Sequence, residues 1–304
     1  AEKLHVDTGG HQPRLQSRLK HVTGDARVLA DDDAAATATG RMAGKECEIA
    51  YHNSLMVLLW SMMAEQDAVL ATHSLQNMPE IPERAAWVNY VRCHDDIGWA
   101  ITDENATAVG LNGYWHRSFL SDFYAGEYAT SYAKGDVFQY NPENGDRRIS
   151  GAGASLAGLE KAVEENDEQG IDHALKRLLL MHNIIFMSGG IPLIYMGDEL
   201  AMTNNYAYTD NPLHADDNRW LQRPIMDWNR AEQRHDSSSI PGRLFQGIKT
   251  LVEARQRCFM LHAEAHTEPE WMHNDKVFGL VRRSPRGRLL LAANVTPDPQ
   301  TVGH

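Results

Sequence analysis

Apolar positions along the chain alternate between helical and extended spacing, and the switches mark its elements. From Glu48 to about Leu75, the residues Leu55, Met56, Leu58, Leu59, Met62 and Met63 recur at helical spacing, predicting a buried helix with methionine as core filler. Ala85 to Val91 is a short apolar run bounded by Pro82 and Gly98, which predicts a buried strand. Helical spacing returns at Ile171, Leu175, Leu178, Leu179, Met181 and Ile185, up to about Phe186. After a Gly189-Gly190 turn, Ile191 to Tyr195 reads as a second strand, giving a helix-then-strand α/β unit. A later helix, Gly242 to about Arg257, places Leu244, Ile248, Leu251 and Val252 on one face. The runs 276–281 and 288–293 flank Ser284-Pro285-Arg286-Gly287 and read as a hairpin.

Two long stretches lack such a period. Residues 1–43 are polar and rich in Gly, Asp and Ala, with Asp31-Asp32-Asp33 leading into an Ala/Thr run; disorder or a loose helix is expected there. After Trp99 the chain turns aromatic, through Tyr114, Trp115, Phe119, Phe123, Tyr124, Tyr128, Tyr132, Phe138 and Tyr140, which predicts an inserted subdomain at 97–165. Its aromatics could stack on sugar faces or form the insertion's own core. Leu178 to Met196 approaches the length of a membrane span, but His182, Asn183, Gly189, Gly190 and Pro192 interrupt it, so it reads as a helix end, a turn and a strand.

The chain has 304 residues, 42% hydrophobic and 23% charged, a globular composition long enough for one large domain or two ordinary ones. A formal net charge of -12 with no Lys/Arg cluster argues against nucleic acid or an anionic membrane as partner and leaves neutral sugars open. Cys47, Cys93 and Cys258 are odd in number and far apart, so neither a disulfide framework nor a zinc knuckle is indicated; with no signal-peptide core at the start, a cytoplasmic setting is expected.

The densest chemistry lies in Trp87-Val88-Asn89-Tyr90-Val91-Arg92-Cys93-His94-Asp95-Asp96-Ile97-Gly98-Trp99. A strand ending in His94-Asp95-Asp96 would deliver a His and two carboxylates to the C-terminal end of a parallel sheet, where ligands gather. Capping of a helix by the Asp residues is the alternative reading. The segment resembles the His-Asp motif closing the seventh barrel strand of the α-amylase superfamily of glycoside hydrolases, in the form found in amylosucrases. Gly189-Gly190-Ile191-Pro192-Leu193-Ile194-Tyr195-Met196-Gly197-Asp198-Glu199-Leu200 resembles the superfamily's eighth-strand motif. The runs 138–142, 146–151 and 216–220 follow the amylosucrase order, and the resemblance extends from about Gly44 to the last residues.

The resemblance implies a partial (β/α)8 barrel over 44–262, comprising its last two strand-helix units and the insertion, then the start of a C-terminal β-domain at 263–304. It implies glucosyl transfer from sucrose to an α-glucan acceptor or water, with no cofactor and no metal. Asp95 would be the transition-state-stabilising carboxylate and His94 a neighbouring sugar contact. Asp96 and Arg148 would contact the acceptor, Gln139 the substrate, and Arg219 would close the glucosyl pocket by pairing with an Asp that has no counterpart here. On their residue type alone, Arg148 and Arg219 are ordinary exposed arginines. Asp198 and Glu199 are expected to hold the barrel rim by hydrogen bonds, and Trp220 and Trp228 to pack.

A retaining glycosidase needs two carboxyl groups about 5–5.5 Å apart, as nucleophile and acid/base. The family's contexts for both are missing; where the acid/base should lie, the chain reads Arg27 to Ala34. Glu46 and Glu48 are tempting substitutes, but they fall on what reads as a helix start, where acids favour the dipole. The chain is therefore expected to be an incomplete, inactive part of such an enzyme, able to self-associate through an exposed barrel edge. Other sucrose or α-glucosidic hydrolases, and a non-catalytic carbohydrate-binding or partner-pairing fragment, remain open.

Overall fold

The computed structural model describes residues 20–22, 26–29, 47–142, 145–263 and 265–303. A five-stranded sheet organises them. β1 (Lys20–Val22) pairs antiparallel with β2 (Ala26–Leu29). Then β2, β3 (Ile49–Tyr51), β4 (Ala86–Tyr90) and β7 (Ile191–Leu193) run parallel side by side. Val88 lies opposite Ile191, so the two strands legible in the sequence are direct neighbours. The strand ends at Tyr90 and no helix starts at Asp95 or Asp96; the next helix begins at Asp103 with Thr102 as its cap, so the capping alternative does not hold.

Several expectations change. The sheet holds four parallel strands, not two. Disorder up to residue 43 does not hold at 20–22 and 26–29, which pair as strands; the rest of that region, with Asp31 to Asp33 and Glu46, lies outside the described residues. Glu48 does not start a helix: it leads into β3, and its carbonyl accepts the Ala86 N–H at 2.9 Å. At three residues β3 is too short to impose a readable period, which is why the sequence suggested continuous helix.

The helical stretch is two helices, α1 (Asn53–Glu65) and α2 (Val69–Gln76). His52 caps α1, its Nδ1 accepting from the Leu55 N–H at 3.2 Å, and Gln66 ends it in the left-handed region. Leu55 to Met63 are all buried, as suits a helix apolar on every side. The Trp60 Nε1–H donates to the Val91 carbonyl at 3.0 Å, fixing α1 beneath the exit of β4.

Between β4 and β7 come α3 (Asp103–Ala108), α4 (Gly113–Tyr124), the antiparallel pair β5 (Asp136–Phe138) and β6 (Arg148–Ser150), α5 (Gly153–Leu156), α6 (Leu159–Glu164) and α7 (Glu168–Met187). Among the described residues the insertion has no separate core. Leu120, Phe123 and Tyr124 join the cluster that contains α1 and α7, and the Tyr124 hydroxyl donates to the Trp60 carbonyl at 2.5 Å. Trp115 and Tyr140 stay exposed.

Gly189 and Gly190, both at positive φ, turn α7 into β7; a Cβ on Gly190 would sit 2.4 Å from the Trp87 carbonyl oxygen. No helix of the described residues is long and apolar enough to cross a membrane. After β7 the chain runs through short turns to α8 (Trp228–Glu232) and α9 (Ile240–Arg257), which packs on α7 closely enough that a Cβ on Gly247 would meet Leu179 at 2.5 Å. The predicted hairpin is β9 (Val277–Ser284) with β10 (Gly287–Asn294), and β8 (His266–Trp271) adds a strand the sequence did not signal. Polar His266-Thr267-Glu268-Pro269 hides it from a hydrophobic pattern. Phe278, Leu280, Leu291 and Ala293 join the main core cluster, so this sheet is packed onto the α/β unit.

Candidate functional site

At the exit of β4 the chain leaves an apolar strand and must bury one guanidinium to turn. Arg92 is 1% exposed. Its Nε donates to the Gly151 carbonyl at 3.0 Å and its Nη2 to the Asp95 carbonyl at 2.8 Å, so it shapes the loop that presents His94 and Asp95. Those two side chains face solvent, 53% and 38% exposed, with His94 Nε2 3.4 Å from Asp95 Oδ2. The loop continues through a bridge between Ile97 and Ile149, which sets Asp96 beside β6; Arg148 Nη1 lies 3.2 Å from Asp96 Oδ2. Asp96 and Arg148, both expected to contact the acceptor, thus form an ion pair with each other.

Arg219 also reaches this end of the sheet, where its partner is local. Asp217, two residues earlier, takes its guanidinium in a two-pronged pair at 2.8 and 2.7 Å. Asp217 is the main reason the Arg219 pKa is raised, with Asp96 and Asp95 adding attraction. The Phe138 ring lies 5.1 Å beneath the same guanidinium, and the adjacent Gln139 is exposed in the left-handed region at φ 52°.

Sequence reasoning missed three participants. Arg223 Nε donates to the His94 carbonyl at 2.7 Å, and its Nη2 lies 3.5 Å from Asp95 Oδ1. Gln222 accepts the Gly151 N–H at 2.9 Å and donates to the His94 carbonyl at 3.3 Å. Tyr51, at the end of β3, has its phenol pushed up by burial first and then by the charges of Cys93 and Asp95. A signal for Arg223 existed in its four-residue spacing from Arg219, but nothing in the residue types shows which carboxylate each arginine meets.

Other expectations are corrected. Asp198 does not hold the rim by hydrogen bonds: it is 5% exposed, its Oδ2 has no hydrogen-bond partner, and burial pushes its pKa up to about 7 against the pull of Arg92. Glu199 does bond locally, accepting the Gly197 N–H at 2.9 Å. Trp228 does not pack; it is 73% exposed. Trp220 stacks on His214 with ring centroids 3.5 Å apart.

Three acid–guanidinium pairs, Asp95 with Arg223, Asp96 with Arg148 and Asp217 with Arg219, gather at this end of the sheet, with the exposed His94 imidazole beside Asp95. Such a set can donate to and accept from neighbouring hydroxyls and place negative charge beside a developing cation. Cys93, His94 and Asp95 also bring potential metal-ligand atoms within 4.8 Å of one another.

No protein-family model matches the chain. A solved structure of similar fold is sucrose 6F-phosphate phosphorylase from Thermoanaerobacter thermosaccharolyticum, with a TM-score of 0.62 and 14% identity. The match covers 88% of this chain and 47% of that one. The chain shares part of that enzyme's fold. It spans about half the enzyme's length, so a complete barrel is not represented by the matched region, and at this identity the likeness speaks for architecture.

Proposed function

We propose that this chain carries the sugar-binding part of a sucrose-acting enzyme of the α-amylase superfamily, with Asp95 and His94 as contacts to the glucosyl ring. One observation carries the reading: His94 and Asp95 leave the C-terminal end of β4 directly beside parallel β7, the location where substrates are met in α/β barrels. Resemblance of the His94-Asp95 and 189–200 segments to the superfamily supports it, as does a fold shared with an enzyme named for a sucrose phosphate. Asp95 would favour an oxocarbenium-like centre more strongly than the neutral ring, which is the form of binding that accelerates a reaction. The finer assignment is amylosucrase-like glucosyl transfer, with Asp96, Arg148 and Gln139 towards the acceptor and Arg219 bordering the pocket. A glucan, water or, by analogy with the phosphorylase, inorganic phosphate could be that acceptor.

Asp95 cannot act alone, because turnover also needs a nucleophile and a group that protonates the leaving oxygen. This chain is therefore proposed to bind the glucosyl unit and release no glucose or fructose from sucrose by itself. Ligand-observed NMR with sucrose and with glucose tests the binding. Saturation transfer to the glucosyl protons that disappears in Asp95→Asn and His94→Ala is the expected result. Absence of transfer in the unsubstituted chain, or transfer unchanged in both variants, would remove the assignment of these residues.

A further inference from the structure

We propose that Cys93, His94 and Asp95 form a binding site for a divalent ion of the zinc and cobalt class. The inference stands whether or not the sugar reading holds. Three consecutive residues leaving β4 offer a sulfur, an imidazole nitrogen and a carboxylate oxygen, all within 4.8 Å of one another. His94 Nε2 and Asp95 Oδ2 are 3.4 Å apart. A tetrahedral ion with ligands at about 2.0–2.2 Å holds neighbouring oxygen and nitrogen ligands about 3.4 Å apart, so this pair already has the span an ion requires. Closing the half-buried Cys93 sulfur onto the same centre falls to rotation of the exposed His94 and half-buried Asp95 side chains towards it, while the backbone is held by Arg92 below and by Arg223 on the His94 carbonyl.

Arg223 approaches Asp95 through Oδ1, so Oδ2 still faces the imidazole. The Cys93 sulfur accepts the Asp95 N–H at 3.4 Å, which orients the thiol within the loop. A sulfur, nitrogen and oxygen set selects a borderline transition ion over Mg²⁺ or Ca²⁺, and three protein ligands leave a fourth position open to solvent. Binding replaces the thiol hydrogen by the metal and releases that proton to water, so affinity rises with pH.

Cobalt titration of the full chain tests this by optical spectroscopy. The expected result is a near-ultraviolet thiolate-to-cobalt charge-transfer band, lost in Cys93→Ser and retained when Cys47 and Cys258 are both replaced by Ser. Asp95→Asn should weaken binding by at least about tenfold, since even outer-shell partners are worth that much to a metal site. A second measurement needs no variant: Zn²⁺ should protect Cys93 from alkylation, read by peptide mass spectrometry, and Mg²⁺ should not. A charge-transfer band that persists in a folded Cys93→Ser variant, no band in the unsubstituted chain, or equal labelling of Cys93 with and without Zn²⁺ would each overturn the proposal.

Discussion

Replacing Asp198 by Asn should stabilise the protein progressively as pH rises from about 4 to about 7 and do almost nothing below about pH 4. Asp198 is 5% exposed, its Oδ2 lacks a hydrogen-bond partner, and burial raises its pKa from 3.8 to about 7 despite Arg92. In the unfolded chain the carboxyl ionises near its ordinary value, whereas the folded chain keeps the proton up to about pH 7. The native state therefore binds the extra proton in that window, and stability falls as pH rises through it. The contribution is fully present below the unfolded pKa and lost once pH passes the folded one. A shift of about three units at 1.36 kcal/mol each corresponds to about 4 kcal/mol. Asn mimics the protonated acid, so the variant escapes that loss while keeping the shape. Reversible urea unfolding of both proteins at several pH values between about 4 and 8 measures it. The variant's advantage should grow with pH to about 2–4 kcal/mol and vanish near pH 4. A variant less stable than the parent at pH 8, or a difference independent of pH, would refute a buried, desolvated carboxyl as the cause.

Gly190→Ala should cost at least about 2 kcal/mol by thermal or urea melting, because Cβ would lie 2.4 Å from the Trp87 carbonyl oxygen at a positive φ. Leu59→Ala, at a fully buried position of α1, should destabilise by about 2–5 kcal/mol in the same assay; a change under 1 kcal/mol would contradict the packing of that helix. Among the described residues β7 pairs with β4 alone and Ile191 is 45% exposed, so the chain should bind a hydrophobic dye or self-associate, read by fluorescence and sedimentation; a monomer with no dye binding would count against an open edge. A coupled sucrose assay should read background for the chain alone, and turnover abolished by Asp95→Asn would instead place nucleophile and acid/base among its other residues.

Strong local periods carried much of the fold into the sequence. The strands at 86–90 and 191–193, helices α7 and α9 and the β9–β10 hairpin are all legible, because each has a run long enough for side-chain alternation or an apolar stripe to show. The Gly189-Gly190 turn is legible too, since both positions have positive φ, and a Cβ would meet Arg282 at the first and the Trp87 carbonyl at the second. Short β3 and polar β8 were not, since a strand defined by its neighbours' hydrogen bonds needs no pattern of its own.

At the site, residue types alone placed His94, Asp95 and Asp96 at a strand end, and that placement follows from an apolar run giving way to charge. Which cation meets which carboxylate was decided by the tertiary structure. Arg148 reaches Asp96 because the Ile97–Ile149 bridge brings β6 alongside the loop, and Arg223 reaches Asp95 from a turn well over a hundred residues away. Arg219 turns to Asp217 because the chain's turn at 217–219 brings the two side chains into a two-pronged pair. Asp198 and Arg92 show the same division: their types announce charge, but only burial on all sides makes one a raised acid and the other the support of the loop. Local spacing determines what a segment can become, and desolvation and pairing across the fold determine what its charged groups do.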